Sequence, residues 1–175
     1  MKSLDLGCGK RKYSGAIGLD INPLNDADVI SDLDYLVYPF KSEIFDIVIC
    51  ENVLEHLKEP LHAMEEIYRI LKPGGIVKIL TPHFSSDDSF SDITHRYHFS
   101  FRSFDLFTDI TDNPSSYPIY TRARFEMLKK RMVFGRIKRY MGIEYLSNRF
   151  PSFYESHLAF IFQAHSIYFE MRAIK

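Results

Sequence analysis

The first twenty residues hold two short apolar runs that each end on groups able to do chemistry. Leu4-Asp5-Leu6-Gly7-Cys8-Gly9 closes on a Gly-x-Gly turn, and Gly18-Leu19-Asp20 closes on an acid. Glycines at the carboxyl end of a strand let the backbone approach a bound group with no Cβ in the way, and turn amides can meet a carboxylate. An acid at the tip of the next strand has lone pairs for both hydroxyls of a ribose. Either feature alone is equally well read as a structural turn or cap; together they favour a nucleoside. A dinucleotide fingerprint would need a third glycine and an acid about twenty residues further on. Here Lys10-Arg11-Lys12 follows Gly9, and only about ten residues separate Gly9 from Asp20.

A second group of reactive side chains lies in Pro82-His83-Phe84-Ser85-Ser86-Asp87-Asp88 and Asp92-Ile93-Thr94-His95-Arg96-Tyr97-His98. An imidazole near its ordinary pKa of about 6.5 takes up a proton at neutral pH, so His83 and His95 are the expected catalytic residues. The alternative for either is packing or capping. His83, Asp87, Asp92, His95 and His98 match no standard metal-ligand spacing, and no metal is expected. Cys8 and Cys50 fall at strand ends, where a thiol nucleophile has no suitable loop.

Elements must hold these groups at one edge. Strands are expected near Lys2–Leu6, Ile17–Ile21, Val29–Ser31, Phe45–Cys50 and Ile76–Thr81, with the helical spacing of Leu61, Met64, Ile67, Tyr68 and Leu71 marking a helix over Pro60–Leu71. Proline and the glycine pair of Lys72-Pro73-Gly74-Gly75 stop that helix. Alternation of strand and helix argues for βαβ units and a parallel sheet. Its carboxyl edge is where ligands bind. The polar stretch after Thr81 reads as a functional loop. Phe125–Phe134 and Ser166–Ile174 read as late strands forming an antiparallel end, with Ser166–Ile174 inserted within the sheet. Arg139–Arg149 and Ser152–Phe162 read as helices between them.

The motifs Leu4–Gly9, Gly18–Asp20, Asp32-Leu33, Phe45-Asp46-Ile47-Val48, Val53-Leu54-Glu55-His56-Leu57 and Arg69-Ile70-Leu71-Lys72-Pro73-Gly74-Gly75 stand in one order over residues 2–82. In this the chain resembles the class I S-adenosylmethionine (SAM)-dependent methyltransferases of the type 11 group, in a narrower branch marked by Tyr154-Glu155 and the Glu170–Lys175 end. The resemblance implies an α/β, Rossmann-like three-layer sandwich with a mostly parallel seven-stranded sheet and an antiparallel C-terminal strand. It also implies SAM as cofactor. Asp5 and the amides of Gly7, Cys8 and Gly9 would hold the methionine part, Asp20 with Ile21 the ribose, and Asp32 with the Leu33 amide the adenine. Glu51 and Asn52 would line the sulfonium. His56, at an expected helix start, is read as packing or capping. Two departures from the family pattern follow: the crossover after the first strand must shrink to a turn, and no lid helix precedes the first strand, so a second copy or another partner could complete the open site.

One domain is expected over 1–175, with a motif-bearing core at 1–82 and substrate-side elements at 83–175. Two thiols make no disulfide framework, no leader precedes the first strand, and no apolar run reaches the length of a bilayer span, which together point to the cytoplasm. Net charge is −1 but divided: residues 1–110 sum to −7 and residues 111–175 to +6. Arg122, Arg124, Lys129, Lys130, Arg131, Arg136, Lys138 and Arg139 are more simply a solvated surface than a phosphate-binding one, and a nucleic-acid enzyme would carry a stronger positive balance. The acceptor expected is a hydroxyl of a small molecule or a glycan- or lipid-like substrate. The alternatives are an RNA or protein acceptor, and a catalytically silent module that only binds. No Asn/Asp-Pro-Pro-Tyr clamp of amino-directed enzymes is present, since Cys50-Glu51-Asn52-Val53 occupies its place.

Overall fold

A computed structural model describes residues 1–108 and 120–175. Seven strands form one sheet: β1 (Ser3–Leu6), β2 (Ile17–Asp20), β3 (Val29–Ile30), β4 (Phe45–Glu51), β5 (Leu71–Pro82), β6 (Phe125–Val133) and β7 (Ser166–Ala173). Their order is β3-β2-β1-β4-β5-β7-β6. The pairs from β3 to β5 are parallel, while β7 runs antiparallel between β5 and β6. The sheet is therefore mixed and mostly parallel, with the last strand inserted as its alternating pattern suggests. Ile167, Phe169, Met171 and Ala173 are buried, and alternate residues are more exposed, the period-two signature of a strand with one face against the core.

Helix α1 (Pro60–Ile70) joins β4 to β5 and buries Ala63, Met64, Ile67 and Ile70. Proline at its first turn costs nothing there, because that N–H would lack a partner anyway. The chain is already extended at Leu71, which pairs with Phe45, so β5 begins five residues before the expected Ile76. Gly74 absorbs the irregularity with φ +74°. None of the crossovers β1–β2, β2–β3 and β3–β4 carries a helix, so the shortened first crossover is a feature of the whole leading edge.

After β5 come a one-turn α2 (Asp88–Ser91) and a 3-10 turn at Asp105–Phe107. Between β6 and β7 lie α3 (Arg136–Tyr140), α4 (Ile143–Arg149) and α5 (Pro151–His157). The helix expected over Arg139–Arg149 is thus broken, because Gly142 adopts φ +75° and redirects the chain. The one expected over Ser152–Phe162 stops at His157. Tyr154, buried in α5, donates its hydroxyl to the Phe162 carbonyl and accepts from the Ala164 N–H, fixing the return into β7. Phe104, Phe107, Phe125, Phe134 and Phe169 pack edge-to-face or offset within the core, so much of the aromatic later half is core rather than pocket wall. Of the basic group, Lys130 is bound to Asp105 and covered by Phe101. Among the described residues no helix is long and apolar enough to cross a membrane.

Candidate functional site

At the carboxyl end of β1 the chain turns through Gly7 (φ +62°) and Gly9 (φ +55°), both in the left-handed region that favours glycine. A Cβ on Gly7 would lie 2.4 Å from Val53 Cγ2, so this residue must be glycine for two reasons at once. The turn amides do not face outward as free donors, contrary to the expectation. Those of Gly7 and Cys8 donate to the Leu19 carbonyl at 2.7 and 3.2 Å, and that of Gly9 donates to Asp20 Oδ2 at 2.9 Å. The short crossover accompanies this: no helix begins at the turn to leave these N–H groups unpaired at its first turn, and they donate to β2 instead. What the turn offers a ligand is backbone without side chain.

Asp20 Oδ1 accepts the Asn22 N–H at 2.8 Å. Each carboxylate oxygen thus takes one protein donor and keeps a lone pair for another. Asn52, just past β4, adopts φ +52°, and its N–H donates to the Leu80 carbonyl at 2.8 Å. This left-handed residue swings the chain across the sheet edge, a conformation Asn tolerates better than most.

Two cavities meet along Gly7 and Asn52. One, of about 250 Å³, is lined by Asp20, Ile21, Ser31, Asp32, Leu33, Val53, His56 and Leu57 as well. The other, of about 470 Å³, adds Asp5, Cys8, Gly9, Lys10, Arg11, Tyr13 and Glu51. All ten residues expected to hold a cofactor line one or the other. The sequence reading missed Lys10, Arg11, Tyr13, Ser31, Val53, His56 and Leu57. Lys10 and Arg11 had a signal, since cations directly after a Gly-x-Gly turn sit beside whatever the turn admits.

The two halves differ in chemistry. The first combines the Asp20 and Asp32 carboxylates with apolar Ile21 and Leu33, suited to a ribose and a flat base. The second faces Asp5 and Glu51 against Lys10 and Arg11, suited to a group carrying both an ammonium and a carboxylate. Burial pushes the Asp5 carboxyl up, opposed by the Tyr13 N–H that it accepts at 2.9 Å. The Tyr13 hydroxyl donates to Glu51 Oε1, which, with burial, pushes Tyr13 up to about 12.

The two expected catalytic histidines part company. His83 is fully buried, with Nδ1 2.7 Å from Ser85 Oγ and Nε2 3.1 Å from Glu155 Oε1, between the rings of Phe84 and Tyr154. It ties the start of the loop to α5 and lines neither cavity, so the acceptor-side role expected for it is corrected to a structural one. Its partner Glu155 lies 72 positions away, and nothing local to either residue signals that they pair. His95 also lines neither cavity, but it packs edge-on against His56, which lines the first, with ring centroids 4.6 Å apart. His56 sits in a turn ahead of α1 rather than at a helix start. Burial, and then the neighbouring His95, hold it below the ordinary imidazole value.

Comparison with known proteins bears on the sequence family and the fold. Residues 4–79 match the family model described as a methyltransferase domain. The chain is 39% identical over 85 residues to the uncharacterized protein MJ0638 of Methanocaldococcus jannaschii, covering 41% of this chain. It is 32% identical over 101 residues to the ubiquinone/menaquinone biosynthesis C-methyltransferase UbiE of Geotalea daltonii, covering 53% of this chain. The chain spans 36% of the length of each of these relatives. Its fold is that of a SAM-dependent methyltransferase from Archaeoglobus fulgidus, with a TM-score of 0.65 at 16% identity over 98% of this chain and 85% of that one. Residues 4–79 thus resemble a methyltransferase domain in sequence, and they sit in a fold shared with solved methyltransferase structures.

Proposed function

We propose that this chain binds SAM in the double cavity at the carboxyl ends of β1, β2 and β4 and transfers its methyl group to a hydroxyl of a small-molecule, glycan- or lipid-like acceptor. The observation that carries the reading is the chemical asymmetry of the two cavities joined at Gly7 and Asn52. Asp20 would accept the ribose hydroxyls, Asp32 and Leu33 would flank the adenine with Ile21 beside the sugar, and Asp5, Glu51, Lys10 and Arg11 would take the ammonium and carboxylate of the methionine part. Asn52 stands between them.

Bound there, SAM supplies a methyl carbon activated by a sulfonium, whose C–S bond breaks as the bond to the acceptor forms. The chain's own work is positioning. The left-handed turns at Gly7 and Asn52 keep the junction free of side chains, so the reacting centre can lie close to backbone. Tyr13, held by Glu51, forms part of one wall. For a hydroxyl acceptor the proton must be held or passed on near the junction, and His56 with its neighbour His95 are the imidazoles at that end. His95 remains the acceptor-side residue in this proposal, and His83 does not.

The test is transfer of label from methyl-labelled SAM, followed as S-adenosylhomocysteine formed in the presence of hydroxylated metabolites, glycans or lipids. Acceptor-dependent product is expected from the wild type and should fall at least tenfold in Asp20→Ala at sub-saturating SAM. SAM binding with no product on any acceptor class would favour the silent binding module instead.

A further inference from the structure

Glu55, His56 and His95 each bring one ligand atom within 4.8 Å of the other two. The Glu55 side chain is 1% exposed. Its Oε2 accepts from Thr81 Oγ1 at 3.2 Å, while Oε1 is buried without any hydrogen-bond partner. A buried carboxylate oxygen left bare is costly, and no group among the described residues answers it.

Both imidazoles are prepared in one tautomer. Thr94 Oγ1 donates its single proton to Asp92 Oδ1 at 2.7 Å, so toward His56 Nδ1, 2.8 Å away, it can only accept. His95 Nδ1 lies 3.2 Å from the Ser89 carbonyl, which again can only accept. Each neutral ring therefore carries its proton on Nδ1 and its free lone pair on Nε2. An imidazole whose other nitrogen is fixed by an oxygen acceptor is the usual arrangement of a metal-binding histidine. The Glu55 carbonyl accepts the Arg96 N–H at 2.7 Å and the Tyr97 N–H at 3.3 Å, so the ligand-bearing loop is locked onto the Glu55–His56 turn by backbone.

We propose that Glu55, His56 and His95 form a binding site for a first-row divalent transition-metal ion. Two imidazoles and one carboxylate favour Zn²⁺, Fe²⁺ or Co²⁺ over Mg²⁺ or Ca²⁺, which prefer oxygen alone. Three protein ligands leave at least one coordination position open. His56 also lines the cavity containing Asp20 and Asn52, so an ion held by it would lie beside that cavity. There an ion could take the acceptor's oxygen and ease loss of the hydroxyl proton to solvent. That last role rests on the proposed methyl transfer; binding of the ion does not.

The experiment uses Co²⁺ as the probe on the chelator-stripped full-length chain without SAM. One Co²⁺ per chain is expected, with visible absorption from histidine-bound cobalt that Zn²⁺ displaces and Mg²⁺ does not. His56→Ala and His95→Ala should each weaken Co²⁺ at least tenfold. Thr94→Val, which removes no ligand, should weaken it by about 10- to 100-fold through the lost support of His56. The exposed His98→Ala should bind as the wild type. Absence of a one-to-one cobalt complex in the folded wild type, or unchanged affinity in both His56→Ala and His95→Ala, would overturn the site. SAM calorimetry on the same preparation reports on the cofactor cavity separately, so either conclusion can fail alone.

Discussion

Replacing Asp20 with alanine should produce two separable losses. In the folded chain its carboxylate accepts the Gly9 N–H at 2.9 Å and the Asn22 N–H at 2.8 Å, and it is almost buried. Hydrogen bonds to a charged group contribute about 1.5–3 kcal/mol each, so deleting both should destabilise the protein by about 3 kcal/mol, the lower end being apt because Asn22 opens to solvent. For a chain of this size that lowers Tm by about 6–12 °C. The second loss concerns the cofactor: one hydrogen-bonded ribose contact to a carboxylate is worth at least about 1.5 kcal/mol, or roughly tenfold in Kd. Thermal melts measure the first, and isothermal titration with SAM at a temperature where the variant is folded measures the second. A folded Asp20→Ala variant that binds SAM within twofold of the wild type would refute the assignment of Asp20 to the ribose, whatever its Tm.

Gly7→Ala and Gly9→Ala carry the same left-handed backbone penalty of about 1–2 kcal/mol, but only at Gly7 does the new methyl meet Val53; Gly7→Ala should therefore be the more destabilising by about 1–3 kcal/mol in urea unfolding. His83→Ala should lose about 2–4 kcal/mol of stability through its cavity and the lost Ser85 and Glu155 contacts, yet leave SAM affinity within twofold; a large affinity loss in a folded variant would restore His83 to the site. Burial works to raise the Glu66 carboxyl, but the Arg69 guanidinium at 2.7 Å and the Tyr38 N–H outweigh it and hold it below the usual range. A carboxyl depressed on folding stabilises above its unfolded pKa of about 4.3 and loses that stability as pH falls through the folded value. The stability gap between wild type and Glu66→Gln should then be constant from pH 7 to about pH 5.5 and shrink below about pH 4.5 in a urea series; a gap that widens on acidification would contradict it.

The sheet was legible because its strands advertise themselves locally. Leu4 and Leu6 flank a single acid, and Phe45–Cys50 is apolar but for Asp46, the near-continuous pattern of strands covered on both faces, while Ile167–Ala173 alternates because it is covered more on one. The cofactor side was legible for the same reason: Gly7, Gly9, Asp20 and Asp32 each follow a strand closely, so their placement depends on few residues. The failures are long-range or backbone-driven. Gly142 breaks a helix that its apolar spacing supports, since one left-handed residue overrides periodicity. The engaged amides of Gly7–Gly9 depend on β2 lying close enough to receive them. His83 looks like His95 in sequence, but one is buried by α5, far along the chain, and the other is drawn to His56 by hydrogen bonds from Arg96 and Tyr97 to Glu55. No local pattern encodes that meeting.

Isothermal titration of the purified wild-type chain with SAM tests the central claim most directly, because it needs no acceptor. The proposed double-cavity site predicts saturable binding of one SAM per chain, competed by S-adenosylhomocysteine, which keeps the ribose, base and amino-acid ends assigned to the two halves. No heat of binding at millimolar SAM, with the protein shown to be folded by its melt, would contradict the account.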